Sequence, residues 1–257
     1  MKKVLKISIP VILLLLTFFI LIQYNVKKVK QEEYIKNNEI LSKKNNNFVV
    51  DKVIAYSNIM ANDVNDGVQD YWRLNIFQFT DFAIYINVNN EIIDLKNEIK
   101  EVSIDNINII EKPKIGETKF ERIKLNDFAK SNNLQSENID SIKFKVIENN
   151  QNIDENENLF KKNGELPLYF RYINNVSKDE LITDISSKLE YNGSLLKRVN
   201  IPLESIKSKI GFRIKILTNS NETYVSNIEL EIPISEEIFN GYQVISIDIN
   251  KNFEYIS

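Results

Sequence analysis

The chain contains no cysteine and no histidine. Without a thiolate or an imidazole it cannot build, from its own residues, a disulfide framework, a Cys or His zinc site, a cysteine nucleophile or a Ser-His-Asp triad. Six glycines and five prolines in 257 residues leave the turns to Asn and Asp, which tolerate left-handed backbone better than most side chains. Arginine is scarce beside lysine, and tryptophan occurs once, at Trp72. General acid–base chemistry would fall to Asp, Glu, Lys or Tyr.

What is present is the composition of a folded protein, with 43% hydrophobic and 27% charged residues. Asn, Ile and Lys supply roughly two-fifths of the chain, the usage of an A+T-rich bacterial genome rather than of a functional Asn tract. Charge is unevenly distributed. Residues 1–30 hold six lysines and no acid, so the remainder carries 27 basic and 36 acidic residues, a net of −9. A body that acidic is not expected to bind nucleic acid through its phosphates or to lie on anionic lipid.

From Ile7 to Tyr24 no residue is charged. As a helix this stretch would span about 27 Å, close to the ~30 Å hydrocarbon core of a bilayer. Pro10 would fall in its first turn, and Gln23 and Tyr24 at the interface. No small-x-small cleavage site follows, and the absence of cysteine excludes a lipid-modified anchor. The sequence therefore predicts a cytoplasmic tail over 1–6 and an uncleaved, single-pass transmembrane signal-anchor over 7–24, with the rest extracytoplasmic at the cell membrane. Lysines flank both sides almost equally, so charge alone does not fix the orientation. Residues 25–47 follow as a helical stalk, with Glu32/Lys36 and Glu39/Lys43 spaced to pair along one face and no strict heptad.

From Phe48 onward the hydrophobic period becomes two. Phe82, Ile84, Ile86 and Val88 alternate with Ala83, Tyr85 and Asn87; the same holds for Ile210–Leu217 and Tyr224–Ile232. This is the pattern of half-buried antiparallel strands. Asn219–Glu222 predicts a turn between the last two. Asn192-Gly193 predicts a two-residue hairpin turn between Ser187–Tyr191 and Ser194–Ile201, with Leu189 opposite Leu196. Short helical pieces are expected at Asn126–Lys130 and Leu203–Ser208. The polar, aperiodic stretch Asn149–Gly164 predicts a linker. The resulting fold class is mainly β, with two antiparallel, Ig- or fibronectin-like sandwich modules over 48–148 and 165–257 joined by the 149–164 linker.

Tyr71-Trp72-Arg73-Leu74-Asn75-Ile76-Phe77-Gln78, Asp81-Phe82-Ala83-Ile84-Tyr85-Ile86 and Val102-Ser103-Ile104-Asp105-Asn106-Ile107 carry a resemblance. Through them the chain resembles uncharacterised, singly membrane-anchored β-rich proteins of low-G+C Gram-positive bacteria. The resemblance implies a cell-surface location and brings no activity, cofactor or catalytic residue.

The motifs with chemical potential have simpler readings. Asn62–Asp70 gathers carboxylates and amides suited to Ca²⁺, but with Gly67 at loop position six, Val64 falls at position three and the EF-hand frame fails. Ser194-x-x-Lys197 matches one motif of penicillin-recognising enzymes without its companions. Tyr71-Trp72 would serve as a sugar-stacking platform or, more simply, as strand packing. No catalytic, cofactor-binding or metal-binding residue is singled out, and no cofactor is expected. The expected function is that of a non-enzymatic binding or structural protein for an envelope protein or a cell-wall polymer. The alternative is a cell-wall or carbohydrate enzyme using a carboxylate pair, which would need two carboxylates in a cleft beside an exposed aromatic.

Overall fold

The computed structural model describes residues 23–42, 47–64, 71–88, 99–130, 138–155, 157–183 and 189–256. The chain divides into two units near residue 45. In the first, residues 23–42 form helix α1, exposed along its length. Lys28 Nζ lies 3.8 Å from Glu32 on its surface, an i,i+4 pair. This helix takes the place of the expected stalk. The expected transmembrane helix is not found: among the described residues no helix is long and apolar enough to cross a membrane. Lys27, Lys28, Lys30, Glu32, Glu33, Lys36 and Glu39 make α1 far too polar for that role. Residues 7–22 of the expected span lie outside the described residues.

The second unit is built on strands β1 (Phe48–Asp63), β2 (Trp72–Val88), β3 (Ile99–Glu111), β4 (Glu117–Glu121), β5 (Ile142–Ile147), β6 (Leu159–Lys161), β7 (Leu168–Ile182), β8 (Lys209–Thr218), β9 (Thr223–Glu231), β10 (Tyr242–Asn252) and β11 (Glu254–Tyr255). A short helix α2 (Ser194–Arg198) and 3₁₀ turns at Leu125–Asp127, Leu203–Ser205 and Glu236–Asn240 complete it. The periodic segments become strands as expected, and Thr218–Glu222 makes the β8–β9 turn, with Asn221 at a φ of 64°.

The strands assemble into two sheets, ordered β10-β1-β2-β7-β4 and β11-β9-β8-β3-β5-β6. This overturns the two-module organisation. Each sheet interleaves strands from both halves of the chain: Ala55 pairs with Ile245, Phe82 with Phe170, and Ile104 with Ile214. Alternation states which side chains face inward but not which strand lies alongside, so two separate sandwiches and one interleaved body share the same pattern. The expected 149–164 linker is likewise part of the body. Its end forms β6, which pairs in parallel with β5, placing Val146 opposite Phe160. Gly164 then turns at a φ of 79° with its Cα so close to the Ile86 carbonyl that a Cβ would stand 2.2 Å from that oxygen.

Asn192-Gly193 makes no hairpin. It opens α2, with Asn192 Oδ1 accepting the Ser194 N–H at 2.9 Å, and Gly193 has a φ of −59°. Glycine is needed there for close approach, because a Cβ would meet the Ile238 carbonyl oxygen at 2.0 Å. The first expected strand of that hairpin falls partly on residues 184–188, outside the described residues. Leu189 and Leu196 do share a core, though not across a turn.

The inner face of the first sheet is covered in two different ways. Val53, Ala55, Phe82, Ile84, Leu168 and Phe170 pack on Val102, Ile104, Ile210, Phe212 and Ile214 of the second sheet. Farther along the same long strands, Ile59, Ala61, Leu74, Ile76 and Val176 pack instead on Leu195 and Leu196 of α2, Ile206 and Ile238. Polar side chains mark the changeover: Ser57 and Thr80 share a 2.8 Å hydrogen bond, and Ser208 donates to the Tyr172 hydroxyl at 2.8 Å.

Candidate functional site: two charged grooves

The outer face of the first sheet carries a buried charged group of its own. Asp81 and Arg171 stand opposite each other on β2 and β7, both fully buried. Arg171 donates from Nε to Asp81 Oδ1 at 2.5 Å and from Nη2 to Oδ2 at 2.8 Å, and its guanidinium lies 4.6 Å from the centre of the Phe79 ring. Burial pushes the Asp81 carboxyl above its usual range, against the pull of Arg171 and of the Ala129 N–H at 2.7 Å. Arg171 Nη2 also donates to the carbonyls of Asp127 and Lys130 at 3.0 and 2.7 Å, so the 125–130 segment is strapped across the sheet. Next to it the buried Glu121 pairs with Lys119 Nζ at 2.6 Å. Sequence reasoning missed this cluster. The available signal was a charge inside an apolar strand, Asp81 between Phe79 and Ile84, and Arg171 within Leu-Tyr-Phe-Arg-Tyr-Ile. Sealed under its strap, the cluster holds a loop in place and offers no surface to a ligand.

Among the described residues of the body, charged side chains line two grooves. The first, about 680 Å³, is lined by Lys100 and Glu101 of β3, Arg122 and Lys124 after β4, Lys143 and Lys145 of β5, and Glu157 and Asn158 before β6. Alternation along β5 turns Ile142 and Phe144 into the core and Lys143 and Lys145 outward. The two carboxylates are occupied: Lys143 Nζ lies 3.2 Å from Glu101, and Lys145 Nζ lies 2.6 Å from Glu157. Lys100, Arg122 and Lys124 make no ion pair among the described residues. Phe144, the one aromatic in the lining, is 2% exposed.

The second groove, about 740 Å³, runs along β10. Ile232, Pro233, Ile234, Ile245 and Ile247 form its apolar wall, with Lys112, Lys114, Lys207, Lys209, Glu111, Glu204 and Glu231 around it. Lys207 pairs with Glu204 and Lys209 with Glu229, each at 2.7 Å. The Glu229 partner holds the Lys209 ammonium above its usual pKa.

The motifs weighed in the sequence fall elsewhere. Trp72 is half-buried on the second core cluster, its ring edge-on to Tyr191 at 6.4 Å, which is strand packing. Ser194 does open a helix, but Lys197 lies over the Phe239 ring at 4.1 Å and the helix buries Leu195 and Leu196. Of Asn62–Asp70, residues 65–70 lie outside the described residues. No group of three or more Asp or Glu placed to hold a metal ion occurs among the described residues. No known family model, curated protein or solved structure matches the chain.

Proposed function

We propose that the body is a non-enzymatic binding module that takes an anionic polymer of the cell envelope in the groove between β3 and β5. One observation carries this reading. On a body of net charge −9, five cationic side chains converge with two carboxylates, and both carboxylates are already paired. Lys100, Arg122 and Lys124 are left with charge to offer, on exposed positions where they cost little to keep hydrated. Nucleic acid is disfavoured as the polymer, since the groove presents no exposed aromatic on which a base would stack. The same lack of an exposed aromatic beside a carboxylate pair weighs against the carbohydrate-enzyme alternative.

The test is binding of the full chain to long-chain polyphosphate, with salt as a second variable. Retention should fall steeply between about 50 and 200 mM salt, as expected for displaced counterions. The Lys100→Glu, Arg122→Glu, Lys124→Glu triple variant should bind at least about tenfold more weakly, a loss of ~1.4 kcal/mol, with its melting temperature unchanged. Equal binding by wild type and triple variant would overturn the assignment.

A further inference from the structure

The described sheets end in four edge strands, and three of them are defended. β11 has two residues and β6 three. β4 has five and carries Glu117, Lys119 and Glu121, with Glu117 tied to Lys178 at 2.6 Å. Short strands and edge charges are the usual means of preventing a sheet from pairing with another chain. β10 is the exception, with eleven residues. From Tyr242 to Ile249 it reads Tyr-Gln-Val-Ile-Ser-Ile-Asp-Ile, without proline, lysine or a register shift against β1 up to Asp248. Two of its outward side chains are apolar and open, Tyr242 at 61% exposure and Val244 at 52%, and they share that face with the exposed Ser246 and Asp248. Its inward Ile245 and Ile247 form one wall of the second groove.

We propose that β10 is a dimerisation strand, which pairs antiparallel with β10 of a second copy and joins two first sheets into one. The strand is self-complementary. A twofold axis at Ser246 pairs Tyr242–Asn250 of each copy and sets Ile245 of one against Ile247 of the other on the inner side. On the outer side it sets Val244 against Asp248. Asp248 is the single charge between Tyr242 and Ile249, so no like charges meet in this register. The partner's Ile245 and Ile247 would extend the apolar wall of the groove. Because the contact is the same patch on both copies, it closes at two and leaves no long edge to recruit a third.

The absence of cysteine makes the register directly testable in the full chain. Residues facing their own counterparts across the axis stand about 4.5–5.5 Å apart, within disulfide reach. Ser246→Cys should cross-link to a covalent dimer under mild oxidation. Val244→Cys should not, because its counterpart lies about 13 Å along the strand. An equal mixture of Val244→Cys and Asp248→Cys should cross-link as a heterodimer. All three positions are exposed or outward-facing, so the fold should survive, as circular dichroism would verify. Failure of Ser246→Cys to cross-link, equal cross-linking by Val244→Cys alone, or failure of the mixture would each overturn the proposal.

Discussion

The two ends of the first sheet bury the same three strands by different means. At one end β1, β2 and β7 face a second sheet, and rings join the aliphatic contact: Phe170 lies 5.1 Å from Phe82 and 6.1 Å from Phe120 within its own sheet and 5.3 Å from Phe212 across the gap. At the other end the same strands face a five-residue helix and irregular chain, and the contact is aliphatic, through Ile59, Leu74 and Ile76 against Leu195 and Leu196. The rings meet tilted or edge-on rather than face to face, whereas the irregular cover is filled by Leu and Ile side chains. A strand pattern thus dictates that one face must be buried, and leaves open what buries it.

If β1, β2 and β7 weld both ends into one cooperative unit, damage at either end shifts a single transition. Phe170→Ala at the aromatic end should cost about 3–5 kcal/mol, read from urea midpoints. Leu196→Ala at the aliphatic end should cost about 2–4 kcal/mol and lower the same transition. A separate early transition in Leu196→Ala alone, accompanied by loss of amide protection over residues 194–206 only, would show that the second end melts by itself. The smallest effect lies at the changeover. Tyr172→Phe removes the hydrogen bond from Ser208 and should cost about 1 kcal/mol at neutral pH.

That last variant also carries a pH signature. Burial pushes the Tyr172 phenol from 10.0 to about 12, because the neutral form is favoured inside the fold. Its contribution is therefore complete below about pH 10 and is lost as pH rises toward about 12, a loss on the order of 3 kcal/mol in all. Tyr172→Phe escapes that loss, so its stability curve should cross that of the wild type on the alkaline side. Parallel curves from pH 8 to 12 would show that Tyr172 is not the group responsible.

The sequence made the β character of the body legible because alternation survives wherever one face is dry. Phe82–Val88 and Ile210–Leu217 lie wholly on strands, and Tyr224–Ile232 does so up to Glu231. Pairing was not legible. Phe82 meets Phe170 across nearly ninety residues, and nothing in either local pattern names the other. Polar composition misled at 149–164, where three residues of β6 suffice to fasten the segment to a sheet. At Asn192-Gly193 the turn-forming dipeptide was real, but glycine serves there to admit the Ile238 carbonyl. The cationic groove was hidden because its members are scattered from Lys100 to Lys145 on two strands and a loop. Only the fold gathers them.

β1 lies between β2 and β10, and the Phe48 carbonyl accepts the Phe253 N–H at 3.0 Å. A growing chain emerges from the ribosome at about 5–20 residues per second, so β1 waits on the order of 10–40 s for the neighbour that completes it. During that interval the edge of β1 that β10 will occupy has no partner, and early pairing with the wrong strand is the hazard. A chaperone that holds extended apolar strands, or a transport route that accepts unfolded chains, would find this protein in a compliant state until its last strands arrive.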